Sequence, residues 1–214
     1  MKTHSIELQK SQLHYRGRLL SRFASPWWIV AFVLSTILSC NEADETDPDS
    51  PGFFIAESEK LVVPAEVDLP NAGNTRIATY YATGVQIYNA RLKAGSDPAA
   101  YEWVFASPSA ILFNDKNEQV GTHFAGPSWQ LESGDRINGQ QFTPAKTKSM
   151  APNSIDWLLL MPKDGSTPTG IFKDVIYIQR IATTGGKAPA TPPASASETI
   201  GVEYTAVYRF TEGN

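Results

Sequence analysis

The chain has 214 residues, 42% hydrophobic and 19% charged, with a formal net charge of −4. That suffices for one domain with a sizeable core, while the acidic balance and the lack of a Lys/Arg run argue against nucleic acid as a partner. A single cysteine, Cys40, and a single histidine beyond residue 39, His123, exclude an internal disulfide and multi-cysteine or multi-histidine metal sites. Neither a metal nor a cofactor is therefore expected.

At the start, Arg16, Arg18 and Arg22 precede an apolar run, Trp27–Leu38, that ends at Ser39-Cys40. A basic region, a short apolar core and a small residue before a cut are the marks of a secretory leader over residues 1–39. The run is short of the roughly 20 apolar residues that span a bilayer. Ile37-Leu38-Ser39-Cys40 resembles a bacterial lipobox, which implies lipidation of Cys40 by diacylglycerol and acylation (palmitate-type chains) of the new amine. Each buried methylene adds about 0.8 kcal/mol, so several chains anchor stably. The expected partner is thus a membrane, and the expected place the cell envelope, at the outer membrane or surface of a Gram-negative-type bacterium. Removal of the leader leaves 13 basic and 21 acidic residues, a net charge of −8. Residues 40–55, acidic and Pro-containing, read as a solvated tether. Their acids lack the glycine and distal glutamate of a calcium loop.

From Ala56 to Asn214 the hydrophobic period is two, predicting a single β-domain. Thr75–Tyr81 and Val85–Leu92 read as strands separated at Ala82-Thr83-Gly84, and Tyr101–Phe105 and Ala110–Phe113 as strands flanking a break at Ser107-Pro108. Asn114–Glu118 is a polar hairpin loop before Val120–Leu131, and Ser133-Gly134-Asp135 a turn before Arg136–Phe142. Ile155–Met161 is apolar on both faces, as in a fully covered strand. Val175–Ile181 and Gly201–Phe210 follow, the latter placing Val202, Tyr204, Ala206, Tyr208 and Phe210 on one face. Thr184–Ser197, rich in Gly, Pro, Ala and Ser, reads as a mobile loop. No amphipathic helix is evident. The predicted class is all-β, an antiparallel sandwich or partly closed barrel of about eight to ten short strands.

Six blocks carry a family resemblance: Gly84–Tyr88, Trp103–Ala110, Val120–Trp129, Asp156–Leu160, Tyr177–Pro189 and Tyr204–Phe210. In order and spacing they resemble the domain-of-unknown-function 3455 family of exported bacterial and fungal proteins, over nearly all of Ala56–Phe210. The resemblance implies an exported all-β domain and no established activity. Many members carry a cysteine after the GVQIY tyrosine and another after the TTGG loop, implying a disulfide that this chain lacks. The usual Asp-Gly-Ser turn is Ser133-Gly134-Asp135 here.

The chemistry-bearing residues are few. His123 has the side chain for a general base near neutral pH, given a partner such as Ser128, Asp135 or Asp156. No G-x-S-x-G elbow supports a serine nucleophile, and a hydrogen bond from His123 to a backbone carbonyl beside the Gly126-Pro127 turn is the plainer expectation. Trp129 suits a cleft beside that turn, whereas Trp103 and Trp157 suit packing. Gln179 and Arg180 interrupt an apolar strand, and Arg180 requires an acid such as Asp156 or Glu203, a row of carbonyls, or an anionic ligand. Gln86 and Tyr88 alternate in the same way. Thr183–Gly186 is no phosphate loop, and no dinucleotide fingerprint occurs. The leading expectation is a lipid-anchored, non-catalytic binding or structural domain for a small molecule or glycan, its site lined by His123, Trp129, Gln86, Tyr88, Gln179 and Arg180. The alternatives are a hydrolase-like enzyme using His123 as base, and a module that pairs with another envelope protein through an apolar patch.

Overall fold

A computed structural model describes residues 47–70, 73–96 and 100–213, all within one compact unit, Ala43–Asn214. The leader, Cys40 and the start of the tether lie outside the described residues. The period of two is realised as eight antiparallel strands: β1 (Thr75–Leu92), β2 (Tyr101–Phe113), β3 (Gln119–Phe124), β4 (Ser128–Leu131), β5 (Arg136–Lys148), β6 (Trp157–Pro162), β7 (Val175–Gly185) and β8 (Thr199–Glu212). Each pairs with the next, and β8 pairs back on β1, so the sheet closes into a barrel. Eight strands enclose just enough space for filling side chains or one small ligand.

Two pairs of predicted strands are each a single continuous strand, and β5, β7 and β8 run beyond their predicted ends. Ala82-Thr83-Gly84 is no turn: β1 runs straight through it, with Gly84 opposite Ala110. A Cβ on Gly84 would lie 2.1 Å from the Ser109 carbonyl, so the glycine serves a close approach of two strands. Pro108 likewise sits inside β2, beside a bulge at Ile87/Tyr88, where a strand tolerates a missing N–H.

Alternation sends Tyr80 and Ala82 of β1, Leu112 of β2, Trp129 of β4, and Tyr208 and Phe210 of β8 into the interior, where they form the larger core. Phe172, on a short 3-10 turn at Gly170–Phe172, packs 4.7 Å from the Phe210 ring centroid. β8 turns Glu203 and Thr205 outward and Tyr204 and Ala206 inward. No helix among the described residues is long and apolar enough to cross a membrane.

The predicted tether is shorter than 40–55, because a helix, α1 (Pro51–Glu59), begins within it. The local chemistry favours that start: the Ser50 hydroxyl accepts from the Phe53 N–H at 3.2 Å, and Pro51 stands at the first helical position. Gly52 N–H donates to Asn117 Oδ1 at 2.7 Å, docking the helix on the β2–β3 hairpin loop. Helix and following segment, residues 51–69, form a strap over the outer wall. There Ile55 and Val67 join Tyr81, Trp157, Leu159, Ile181 and Val207 in a second core, and Phe54 stacks on Tyr81 at 4.9 Å. The strap is why Ile155–Met161 is apolar on both faces.

Polar stitches complete it. Gln179 Nε2 donates to the Val67 carbonyl at 2.9 Å, and Arg209 Nη2 to the Ser58 carbonyl at 2.9 Å. Gln179→Ala leaves a buried carbonyl unpaired, which costs about 1–3 kcal/mol. Faster tryptic cleavage at exposed Lys60 is the expected result of limited digestion. An unchanged rate would mean that apolar contacts alone hold the strap.

Candidate functional site

β3 and β4 set His123 directly opposite Trp129, and the two rings stack at 4.5 Å and 14°. The connecting turn needs Gly126, whose φ is +142° and whose Cβ would lie 2.4 Å from Ser128 Oγ. His123 Nδ1 is 2.9 Å from the Ser128 carbonyl oxygen. A carbonyl only accepts, so Nδ1 carries the proton and Nε2 keeps its lone pair. Burial pushes the imidazole pKa down to about 3; the Ser128 carbonyl opposes this and the Arg180 charge adds to it. The ring is neutral across the physiological range.

That geometry is not a catalytic pair. The position of an orienting carboxylate at Nδ1 is held by a backbone carbonyl. Ser128 Oγ is engaged by Ala125 O and Asn138 Oδ1 at 2.9 and 2.7 Å. Asp135 accepts from the Ile171 N–H at 3.3 Å, and Asp156 Oδ2 from Thr147 Oγ1 at 3.4 Å.

Arg180 points inward from β7, between Leu158 of β6 and Tyr208 of β8 in register. Its Nε and Nη2 donate to the Asp156 backbone carbonyl at 3.1 and 2.8 Å. The Asp156 carboxylate instead faces Lys187 Nζ, at 3.9 Å. No ion pair of Arg180 occurs among the described residues. Its charge acts on Tyr88, Tyr204 and Tyr208, whose phenol pKa values burial raises and Arg180 pulls back.

These groups border an open cavity of about 570 Å³ whose lining runs from buried residues such as His123 and Trp129 to exposed ones such as Phe105 and Ala145, a size typical of ligand sites. Gln86, Tyr88, His123, Trp129 and Arg180 all line it, brought together from four strands, β1, β3, β4 and β7. Tyr88 also donates to the Gly186 carbonyl at 2.6 Å. Gly186 has a φ of +84°, and a Cβ there would lie 2.8 Å from Tyr204 Cβ. The TTGG segment thus seats its loop on the barrel. That loop, predicted to be mobile, starts later than Thr184, because β7 continues to Gly185, and Trp103 Nε1 ties it down by donating to the Thr191 carbonyl at 2.9 Å.

Four buried polar atoms of the interior have no hydrogen-bond partner: Gln86 Nε2, Trp129 Nε1 and the hydroxyls of Tyr204 and Tyr208. Gln86 and the two phenols neighbour one another closely enough to perturb ionisation, without alignment as hydrogen bonds. Buried polar atoms are ordinarily satisfied, so a cluster of four beside a cavity is informative.

Gln179 is the correction among the predicted site residues. It lies on the outer wall beneath the strap, paired with Val67, because neighbours on a strand face opposite sides and Arg180 takes the inner one. Trp157 is also outside, under the strap. The sequence reading misses Tyr208, Asp156 and Lys187 as lining residues. Alternation in β8 carried a signal for Tyr208; nothing local marks Lys187.

A family model described as protein of unknown function (DUF3455) matches residues 70–212, the whole barrel from before β1 to the end of β8. No curated protein and no solved structure matches the chain.

Proposed function

We propose, from the premise that the chain belongs to the DUF3455 family of proteins of unknown function, that it is a non-catalytic binding protein of the cell envelope. Acyl chains on Cys40 tether it, and the barrel interior holds one small molecule or a glycan residue. The observation that carries this reading is the cavity itself, bordered by the stacked His123–Trp129 pair, an arginine without a carboxylate partner and donors with no partner. A hydrolase role for His123 finds no support in a neutral ring whose Nδ1 faces a carbonyl.

Trp129 lines the cavity, so intrinsic fluorescence reports occupancy. In a screen of small organic acids, amides and monosaccharides, compounds that quench the wild type should leave Ala145→Trp, which fills the cavity rim, unchanged. Equal quenching of both proteins would mean that binding lies elsewhere. For the tether, an alkyne-tagged fatty acid should label the protein in cells and fail to label Cys40→Ser. An unlabelled wild type would remove the anchor from this reading.

A further inference from the structure

The charges and orphan donors of the cavity narrow the class of ligand. Three charged side chains line it: Arg180, Lys187 and Asp156. Asp156 is engaged by Lys187 and by Thr147 Oγ1, so these two opposite charges offset one another. Arg180 remains as one positive charge in a partly buried position. Its Nε and one N–H of Nη2 are held by the Asp156 carbonyl, and the guanidinium also stands close to the Tyr208 hydroxyl. A carbonyl dipole offsets only part of a buried guanidinium charge.

Among the other lining residues, the atoms without a partner can all donate: Gln86 Nε2, Trp129 Nε1 and the Tyr208 hydroxyl. An NH₂, an indole N–H, a phenol and a guanidinium together match an acceptor-only group, above all an ionised one. Much of the remaining wall is apolar, with Phe105, Pro108, Leu158 and Leu160 lining the same space and Gln141 and Thr147 as polar exceptions.

We propose that the cavity binds an organic monoanion, a carboxylate on an apolar body, with the carboxylate on Arg180 and the body against Phe105, Pro108, Leu158 and Leu160. This rests on the reading of the cavity as a ligand site. One unpaired positive charge matches one negative charge. A phosphate monoester would bring close to two, leaving the second desolvated without a partner. The chain's formal charge of −4 does not outweigh this, since exposed charges are screened beyond about 8 Å at physiological salt, whereas Arg180 acts at contact.

The test compares naphthalene-2-carboxylate with its neutral isostere naphthalene-2-carboxamide by calorimetry on the whole chain at pH 7. The carboxylate should bind at least about tenfold more tightly, a difference of about 1.4 kcal/mol. Arg180→Gln should abolish that preference by weakening the acid alone, and Ala145→Trp should weaken both probes. Equal affinity of acid and amide for the wild type overturns the anion assignment and leaves the cavity reading standing. Binding of neither probe at millimolar concentration, or binding of both unaffected by Ala145→Trp, overturns the two together. The wild-type comparison decides even where Arg180→Gln fails to fold.

Discussion

Trp129→Ala should lower the free energy of unfolding by about 3–5 kcal/mol, the range for removing a large aromatic side chain from a packed core. The indole is fully buried, stacks on His123, and meets Tyr208 and Phe210 edge-on at 5.2 and 5.6 Å. Gly139 opposes it so closely that a Cβ there would lie 3.0 Å from the ring. Since domains are stable by only about 5–15 kcal/mol, this one truncation takes a large share. Urea denaturation should give a lower midpoint at unchanged slope. A loss below about 1 kcal/mol would mean that Trp129 does not belong to the core.

The second large effect is acid sensitivity from His123. An imidazole has an ordinary pKa near 6.5 when unfolded and about 3 in the fold, because burial disfavours its charged form. Above pH 6.5 neither state binds the proton, so this group contributes no slope. Between pH 6.5 and about 3 the unfolded chain is protonated and the folded one is not, so stability falls as pH falls. The slope is about 1.4 kcal/mol per pH unit, and the total about 4–5 kcal/mol. His123→Gln removes that component while every carboxylate still titrates. The stability difference between pH 6 and pH 4 should therefore shrink by about 2–3 kcal/mol relative to the wild type. Parallel pH profiles would show that water reaches the imidazole and its ordinary titration survives.

What the sequence could express was the period. Alternation along single strands put Tyr204, Ala206, Tyr208 and Phe210 on one face, and paired Gln86 with Tyr88, as the barrel has them. The same rule forbade Gln179 and Arg180 from sharing a pocket, because consecutive residues of a strand cannot both point inward. Arg180 found a backbone carbonyl, one of the partners its chemistry allowed; that the carbonyl belongs to Asp156, whose carboxylate is turned elsewhere, depends on the register of β6 against β7. Strand breaks were misplaced at Gly84 and Pro108 because a glycine or proline reads locally as a turn. Their causes here are a close approach and a bulge, which exist only once β1 and β2 have paired. The strap was hidden by its acidic surroundings. Its local signs were Ser50 and Pro51 at the cap, but its apolar partners stand far along the chain.

That distance governs how the molecule is made. Ser58 meets Arg209 across 151 positions and Val67 meets Gln179 across 112, while β1 waits for β8 to close the ring. During translation the strap can meet Tyr81 and Asn117 early, but its polar stitches and the closure of the ring wait until the ribosome has finished the last strands. Wide sequence separations of this kind slow folding.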